Sequence, residues 1–210
     1  MRFKLLILSL LTVMSCSAQG RQVQGVARDN MINAIGRTAS SIRSLECDFT
    51  QTKHLQMLND NMVSRGQMYY KQGGKLRWEY LSPYNYIFVM NGNKVMLKSN
   101  KRKDIIDVRS SKLFNEIAGI MMNSITGQCL SDYHNFAVIM YDNGDEWTAV
   151  LFPRKKDIRQ MFQKIVLTFS QRRAMVTDVQ MIEKSGDTTY IKLKNVKSNT
   201  PVNEKVFDVD

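Results

Sequence analysis

The chain has 210 residues and a formal net charge of +11, and it contains only two histidines and three cysteines. Neither His54 nor His134 stands in a spacing typical of zinc ligands. Glycines at positions 73, 74, 92, 144 and 186 lie in turn contexts, and no phosphate-binding loop occurs. These features argue against a zinc enzyme and a nucleotide-binding protein. We therefore expect no catalytic residues, no enzyme activity and no metal or other cofactor.

The first 18 residues have the layout of a secretory signal, with a positive start, an apolar run at residues 5–14 and small residues at 15–18. The apolar run is too short to span a bilayer comfortably. Cleavage after Ala18 would release a soluble protein, whereas the residues before Cys16 resemble a bacterial lipobox that would leave Cys16 acylated. We favour the soluble form because Met14 is a poor lipobox residue.

Residues 19–210 are expected to form a single domain with room for a hydrophobic core. Without the two basic residues of the signal, 28 basic residues face 19 acidic ones, which gives a net charge of +9. Local basic clusters occur at Lys98–Lys103, Arg154–Lys156 and Lys192–Lys197. We interpret this charge mainly as solvated surface, with a dock for acidic head groups or an acidic partner as the alternative. An exported protein rarely meets nucleic acid, so none is expected as a partner.

Two segments have the apolar spacing of helices. From Ala27 to Leu45, apolar residues recur on one stripe, namely Met31, Ile35, Ile42 and Leu45. From Ser111 to Thr126, a broad methionine-rich face is apolar, and Gly127 stands where a helix would end. We predict one helix in each segment.

The remaining segments have the composition and turn signals of strands. A turn at Asn59–Asn61, the glycine pair Gly73 and Gly74 and a hairpin turn at Asn91 and Gly92 separate the first of them. The predicted strands are Cys47–Met57, Met62–Tyr70, Lys75–Tyr80, Tyr84–Met90, Lys94–Ser99, Asp104–Arg109, Phe136–Tyr141, Glu146–Phe152, Lys164–Ser170, Met175–Glu183 and Thr188–Asn195. Because the helices interrupt the strands without alternating with each of them, the pattern favours one curved antiparallel sheet in a mainly β, α+β fold.

One predicted strand is apolar on both faces. Tyr84, Tyr86, Phe88 and Met90 share one face, and Ile87 and Val89 lie on the other. A strand with one face in water would alternate, so the sheet is either covered on both faces or wrapped round a lined interior. Twelve methionines follow the signal. Methionine adapts to irregular apolar partners, so the residues fill either an ordinary core or a pliable cavity.

Cys47 and Cys129 remain once Cys16 is removed or acylated. An exported compartment permits a disulfide between them if their Cα atoms lie within bridging distance. The alternative is a pair of buried free thiols.

The sequence between residues 49 and 92 resembles that of the LolA-type carriers of outer-membrane lipoproteins. The resemblance rests on Phe49-Thr50-Gln51, Gly66 with Met68, Leu76-Arg77-Trp78, Pro83, and the apolar strand from Ile87 to Gly92. It implies an incomplete half-barrel of about 10–11 strands, with two or three helices as a lid over an apolar cavity. It also implies a periplasmic location in a Gram-negative bacterium and a monomer that carries acylated lipoproteins. The implied partners are an inner-membrane lipoprotein-releasing transporter and an outer-membrane acceptor.

The resemblance and the apolar pattern together give a set of expected cavity residues. On the sheet these are Met68, Leu76, Trp78, Tyr86, Phe88, Met90, Phe136 and Met140, and on the lid Phe114, Ile117, Met121 and Met122. Where the family has an arginine that latches the lid to the barrel, this chain has Gln72, which carries no charge. Lid closure is therefore expected to rest on weaker contacts or on another residue.

Two other functions fit the same fold. An outer-membrane receptor would be anchored through a lipid on Cys16 and would take lipoproteins from a carrier. A sensor of envelope stress would use the half-barrel to bind an amphiphile or a protein.

Overall fold

The computed structural model describes residues 20–108, 119 and 122–209. Within them, twelve antiparallel strands form a single open sheet, in the order β1-β8-β9-β10-β11-β12-β2-β3-β4-β5-β6-β7. Their bounds are β1 Arg21–Val23, β2 Ser44–Leu55, β3 Asp60–Lys71, β4 Lys75–Ser82, β5 Tyr86–Asn91, β6 Lys94–Ser99, β7 Lys103–Asp107, β8 Phe136–Asp142, β9 Glu146–Pro153, β10 Phe162–Ser170, β11 Met175–Glu183 and β12 Thr188–Ser198. The predicted class, a mainly β fold built on one open antiparallel sheet, is confirmed, with twelve strands in place of 10–11.

Helices lie between the strands. Helix α1 spans Gly25–Ser41, residues 122–126 are helical, and a short helix covers Lys156–Met161. Short 3-10 turns lie at Gln128–Ser131, before β8, and at Glu204–Phe207, after β12. The predicted first helix is confirmed with a start two residues earlier and an end four residues earlier. Of the predicted second helix, only residues 119 and 122–126 are described, and they are helical.

The inner face of the sheet, defined by Leu45, Phe49, Met68, Trp78 and Ile191, carries the main core. The strand register places these side chains on one side, since Phe49 pairs with Leu193 and Gly66, and Met68 pairs with Trp78. Helix α1 contributes Met31, Ile32 and Ile35 to the same core. Because alternate residues of a strand share a face, this stripe of apolar side chains selects the register of the whole sheet.

A second, smaller core covers the outer face of β5 and β6. Val89 and Met96 are buried there against Phe207 and Val209 of the C-terminal segment. Hydrogen bonds to its backbone carbonyls help to hold this segment to the sheet, from the Arg77 guanidinium to the Val206 carbonyl at 3.2 Å and from the Asn91 amide to the Phe207 carbonyl at 3.2 Å. The apolar residues on both faces of β5 are explained by these two cores.

Glu204 adds an electrostatic contact between this C-terminal segment and the sheet. Its carboxylate accepts hydrogen bonds from Lys75 at 2.7 Å and from Lys71. These two lysines lower the pKa of Glu204 from 4.5 to about 2. The C-terminal segment is thus attached to β3 and β4 by charge and to β5 by apolar burial.

Candidate functional site

Three aromatic side chains on the inner face of the sheet form one wall of the site. The Phe49 and Trp78 rings are stacked with centroids 4.2 Å apart, and Tyr80 meets Phe49 edge to face at 5.3 Å. Offset stacks and edge contacts of this kind add stability beyond the burial of area. The three residues therefore make a rigid wall.

Gly66 makes this packing possible. It is the register partner of Phe49 on β3, and a Cβ atom at this position would lie 2.6 Å from Phe49 Cζ and 1.9 Å from the Glu79 carbonyl oxygen. Only glycine leaves room for the Phe49 ring to cross β3 and reach Trp78 on β4. Phe49, Gly66 and Trp78, which are among the residues that carry the family resemblance, thus share one packing arrangement.

Polar groups gather at one end of this wall. The Tyr80 hydroxyl donates a hydrogen bond to Gln51 Oε1 at 3.0 Å. Burial raises the pKa of Tyr80 above its ordinary value of 10.0, and the hydroxyl is protonated at neutral pH in either case. Lys53 pairs with Glu183 at 3.3 Å across β2 and β11, with both side chains partly exposed.

A cavity of about 500 Å³ opens beside the aromatic wall. Its walls come from the inner faces of β2, β4, β11 and β12, from the start of β10 and from the helical residues 122–126. The lining residues are Gln51, Lys53, Trp78, Tyr80, Ser124, Ile125, Met161, Phe162, Val179, Met181, Glu183, Thr189, Ile191 and Leu193. Most of them are apolar, and the polar ones include the groups just described. Such a volume falls within the range of about 300–1,000 Å³ that is typical of small-molecule sites.

Helical residues 122–126 cover one side of the cavity through Ser124 and Ile125. Gly127 ends this helix with φ +85, as its position in the sequence predicts. A Cβ atom there would lie 2.8 Å from Ile35 Cγ2 and 3.0 Å from the Phe169 ring. The end of the cover is therefore packed tightly between α1 and the sheet.

The expected cavity residues on the sheet share the inner face but occupy different parts of it. Trp78 lines the cavity. Five others are buried in the main core beside it, namely Met68, Leu76, Met90, Phe136 and Met140. Tyr86 and Phe88 are half-buried, with Phe88 packed against the core and the Tyr86 ring 6.3 Å from that of Tyr80.

On the predicted lid, Met122 is partly buried against the core. Phe114, Ile117 and Met121 lie outside the described residues, as does Cys16. The role of the whole set in binding a ligand stays a prediction.

Sequence reasoning did not select several lining residues of β10, β11 and β12. Val179 and Met181 on β11, and Ile191 and Leu193 on β12, occupy alternate positions, which is a signal that could have found them. Phe162 follows a short helix and had no such signal.

Gln72 contacts the chain between α1 and β2. Its backbone N–H donates to the Arg43 carbonyl at 2.8 Å, and the Arg43 guanidinium donates to Gln72 Oε1. An arginine is therefore present at this contact, but it comes from position 43. The expectation that lid closure at this position rests on weaker contacts or on another residue stays a prediction.

Cys47 and Cys129 are buried free thiols, so the disulfide alternative is not formed. Burial raises the pKa of each thiol to about 12. The described residues contain no group of three or more histidine, cysteine, aspartate or glutamate side chains arranged to hold a metal ion. None of the helices in the described ranges has the length and apolar character needed to cross a membrane.

Comparison with known proteins matches the chain to one family. The family model described as "Outer membrane lipoprotein carrier protein LolA" matches residues 40–210. An outer-membrane lipoprotein carrier protein of Pseudomonas aeruginosa is 30% identical over 145 residues, which are 69% of this chain and 66% of the relative. The chain thus spans about two thirds of the length of that relative.

Two solved structures share the fold. The Mycobacterium tuberculosis lipoprotein LppX is 11% identical with a TM-score of 0.50, covering 89% of this chain and 100% of LppX. The Pseudomonas aeruginosa MucA/MucB complex contains a chain that is 8% identical with a TM-score of 0.52, covering 88% of this chain and 61% of the other. At these identities the likeness concerns the fold alone.

Proposed function

Because this chain belongs to the LolA family of outer membrane lipoprotein carrier proteins, we propose that it binds the acyl chains of lipoproteins and carries them through the periplasm to the outer membrane. The observation that carries the proposal is the apolar cavity of about 500 Å³ between the inner face of the open sheet and helical residues 122–126. The signal at residues 1–18 supports export to the periplasm of a Gram-negative bacterium.

The driving force for binding is removal of acyl chains from water, at about 25 cal/mol for each Å² of apolar surface buried. Val179, Met181, Ile191 and Leu193 offer a continuous apolar wall for this purpose. Met181 adapts its shape to an irregular partner because its side chain is unbranched. The cavity therefore selects ligands by the length and apolar character of their acyl chains, and not by a particular shape.

A carrier must also release its load. Ile125 of the cover is 7% exposed, and it lines the same cavity as the sheet residues. A ligand with several acyl chains would need more room, so it would displace this cover and lose part of the binding free energy to exposing residues such as Ile125. Competition between the cover and the lipid for one apolar lining keeps binding reversible.

The proposal is tested with a synthetic peptide bearing an S-dipalmitoylglyceryl cysteine. Its affinity is measured for the full-length protein and for Met181→Lys, which places a charge on the cavity wall. Gln180→Lys is the matched control, because it adds the same charge one residue away on the other face of β11.

We expect Met181→Lys to weaken binding by about tenfold or more, since a charge in an apolar site is costly to desolvate. Gln180→Lys should bind like the unaltered protein. Equal affinities of all three proteins, or no binding of the peptide at all, would contradict the proposal.

The carrier and the anchored receptor differ in the fate of Cys16. An anchored receptor would retain Cys16 with a diacylglyceryl group, whereas a soluble carrier would lack it. Mass spectrometry of the protein from an envelope extract separates the two, and loss of lipoprotein sorting on depletion separates the carrier from a stress sensor.

A further inference from the structure

The cavity opens at one edge of the sheet. Glu183 ends β11 and Phe162 begins β10, and both residues line the cavity and are partly exposed. Lining residues deeper in the sheet, such as Val179 and Leu193, are buried. Because neighbouring strands are antiparallel, the connections between them alternate between the two edges. The edge at which the cavity opens, here called the mouth edge, carries the connections at residues 56–59, 83–85, 100–102, 154–161 and 184–187.

The mouth edge carries more positive charge than the opposite edge. Its five connections contain seven basic residues and two acidic ones. The connections described at the opposite edge contain two basic residues and one acidic residue, and they lie at residues 72–74, 92–93, 143–145 and 171–174. Two of the basic clusters seen in the sequence, at residues 98–103 and 154–156, therefore belong to the edge at which the cavity opens.

Exposed apolar side chains follow the same division. Met57 is 96% exposed and Leu58 is 70% exposed between β2 and β3, and Tyr84 is 47% exposed between β4 and β5. None of the connections described at the opposite edge holds a large apolar side chain in an exposed position. The Gln56 backbone N–H donates to the Asp187 carboxylate at 3.0 Å, which ties the turn after β2 to the turn before β12. The structure thus holds Met57 and Leu58 in water on an anchored turn.

The strand order determines how these groups follow one another along the mouth edge. The basic connection 154–161 joins β9 to β10, and the basic connection 100–102 joins β6 to β7. The apolar connections 56–59 and 83–85 lie between them in the order of the sheet. Apolar side chains flanked by cations on both sides complement an anionic bilayer, in which negative head groups cover the hydrocarbon. Apolar tips on separate connections suit a fluid surface better than a protein interface, whose anchors cluster near one centre.

We propose that the mouth edge docks on the surface of an anionic membrane. Met57 and Leu58 enter the interface, and the basic connections on either side contact the phosphates of the head groups. In this orientation the opening of the cavity beside Glu183 and Phe162 faces the bilayer. The inference goes beyond the proposed function and is tested separately, because neither Met57 nor Leu58 lines the cavity.

The experiment uses the Cys16→Ser protein purified after export, with loss of the signal checked by its mass. Neither a leader nor a lipid anchor then contributes to binding. Cosedimentation is measured with vesicles of phosphatidylcholine and with vesicles of phosphatidylcholine mixed with phosphatidylglycerol. We expect the anionic vesicles to bind at least about tenfold more tightly than the neutral ones, and the difference to shrink as salt is added.

A pair of variants tests the apolar contact. Leu58→Ser should weaken binding to the anionic vesicles by about fivefold or more, because it removes apolar surface from the interface. Ile105→Ser is the matched control, since Ile105 is 50% exposed in the middle of β7 and away from the connections. This control should bind like the unaltered protein.

A second pair tests the charges. Arg154→Gln, Lys156→Gln removes two charges from the mouth edge and should weaken binding by about tenfold or more. Arg172→Gln, Arg173→Gln removes the same charge from the opposite edge. That edge lies a strand length away, beyond the screening length of about 8 Å, so the effect should stay below about twofold.

Fluorescence gives a second measurement of insertion. A dye sensitive to polarity is attached to Leu58→Cys in the Cys16→Ser protein, where Cys47 and Cys129 are buried. Its emission should move to shorter wavelength with anionic vesicles, whereas the same dye on Ile105→Cys should not respond.

Equal binding to both kinds of vesicle, equal losses from the two charge variants, or unchanged emission from position 58 would overturn the inference. Absence of vesicle binding would overturn it too, and a photo-crosslink from position 58 to an envelope protein would then assign the edge to a protein partner. Each of these results leaves the proposed function standing, since Leu58→Ser should still bind the acylated peptide. A protein that docks on vesicles but binds no acylated peptide would refute the proposed function alone.

Discussion

Phe49 and Gly66 face each other across β2 and β3, and the Phe49 ring occupies the space that any side chain on Gly66 would need. The ring crosses β3 at this point and stacks on Trp78 of β4. Two residues of a sequence motif are thereby explained by one packing arrangement. The contact therefore couples the register of β2, β3 and β4 to the position of Trp78, which lines the cavity.

Substitution of Gly66 by alanine should destabilise the fold. The new Cβ would lie 1.9 Å from the Glu79 carbonyl oxygen, and backbone cannot move aside as a flexible side chain can. We expect a loss of about 2–3 kcal/mol in the free energy of unfolding, measured by urea denaturation. Binding of an acylated peptide should weaken as well, because Phe49 and Trp78 would be displaced.

The matched control for this variant is Gly36→Ala. Gly36 lies within α1, and an added Cβ would have no neighbour within 4 Å. Alanine has the higher helix propensity, so this variant should gain about 0.5–1 kcal/mol. If both alanine variants changed stability equally, close packing at Gly66 would not be the cause.

Phe207 should be the anchor of the C-terminal segment. It is fully buried against Val89 and Met96 on the outer face. Phe207→Ala should cost about 3 kcal/mol and increase amide hydrogen exchange in β5 and β6. Val206→Ala is the comparison, since Val206 is only partly buried, and it should cost about 1 kcal/mol or less. Unchanged exchange in β5 after Phe207→Ala would show that the segment does not hold this face.

Much of the fold could be predicted because its strands carry local signals. Lys94–Ser99 and Met175–Glu183 have the predicted bounds, since a hairpin turn precedes one and glycine follows the other. Strand β1 was missed because three residues are too short to show alternation. The six-residue helix Lys156–Met161 was missed for the same reason, as it presents one buried residue, Ile158.

The cover of the outer face could not be assigned from sequence. The apolar residues Ile87 and Val89 indicated that something packs on the outer side of β5. The segment that packs there is identified only by its contact through Phe207, which lies more than 100 positions further along the chain. Local patterns show that a face is buried, and long-range packing decides what buries it.

The same limit of local sequence patterns applies to the candidate site. The family resemblance placed Met68, Leu76 and Trp78 among the cavity residues, and the register puts all three on the inner face. The sequence could not show that other core side chains cover Met68 and Leu76 while Trp78 borders the cavity. That difference depends on the residues packed above them. A sequence pattern thus predicts a lining but not where the lining is left uncovered.

The buried cysteines should be unreactive in the folded protein. Since burial raises the pKa of Cys47 and Cys129 to about 12, almost none of either thiol is ionised at pH 8. In a Cys16→Ser protein we expect less than a tenth of the alkylation by iodoacetamide that occurs in urea, measured by mass spectrometry. Rapid labelling of either thiol without denaturant would show that the core opens at that position.

The same thiols predict a loss of stability in alkali. Their pKa is 9.0 when exposed and about 12 when folded, so the unfolded chain releases protons first as the pH rises above 9. Stability should fall between pH 9 and 12. The Cys47→Ala, Cys129→Ala protein should lose less stability over this interval, and an identical decline in both proteins would assign the effect to other groups.

Glu204 should make attachment of the C-terminal segment sensitive to acid. Its pKa is lowered from 4.5 to about 2 by Lys71 and Lys75, so the stabilising contribution is present above pH 4.5 and is lost as the pH falls towards 2. We expect amide exchange of residues 204–207, corrected for its intrinsic pH dependence, to rise across this interval. Glu204→Gln should exchange faster at pH 6 and should lack the additional acid response. Because the carboxylate is exposed, 1 M salt should reduce the difference between the two proteins. A difference that persisted unchanged in high salt would mean that packing of Phe207, and not the two lysines, carries the effect.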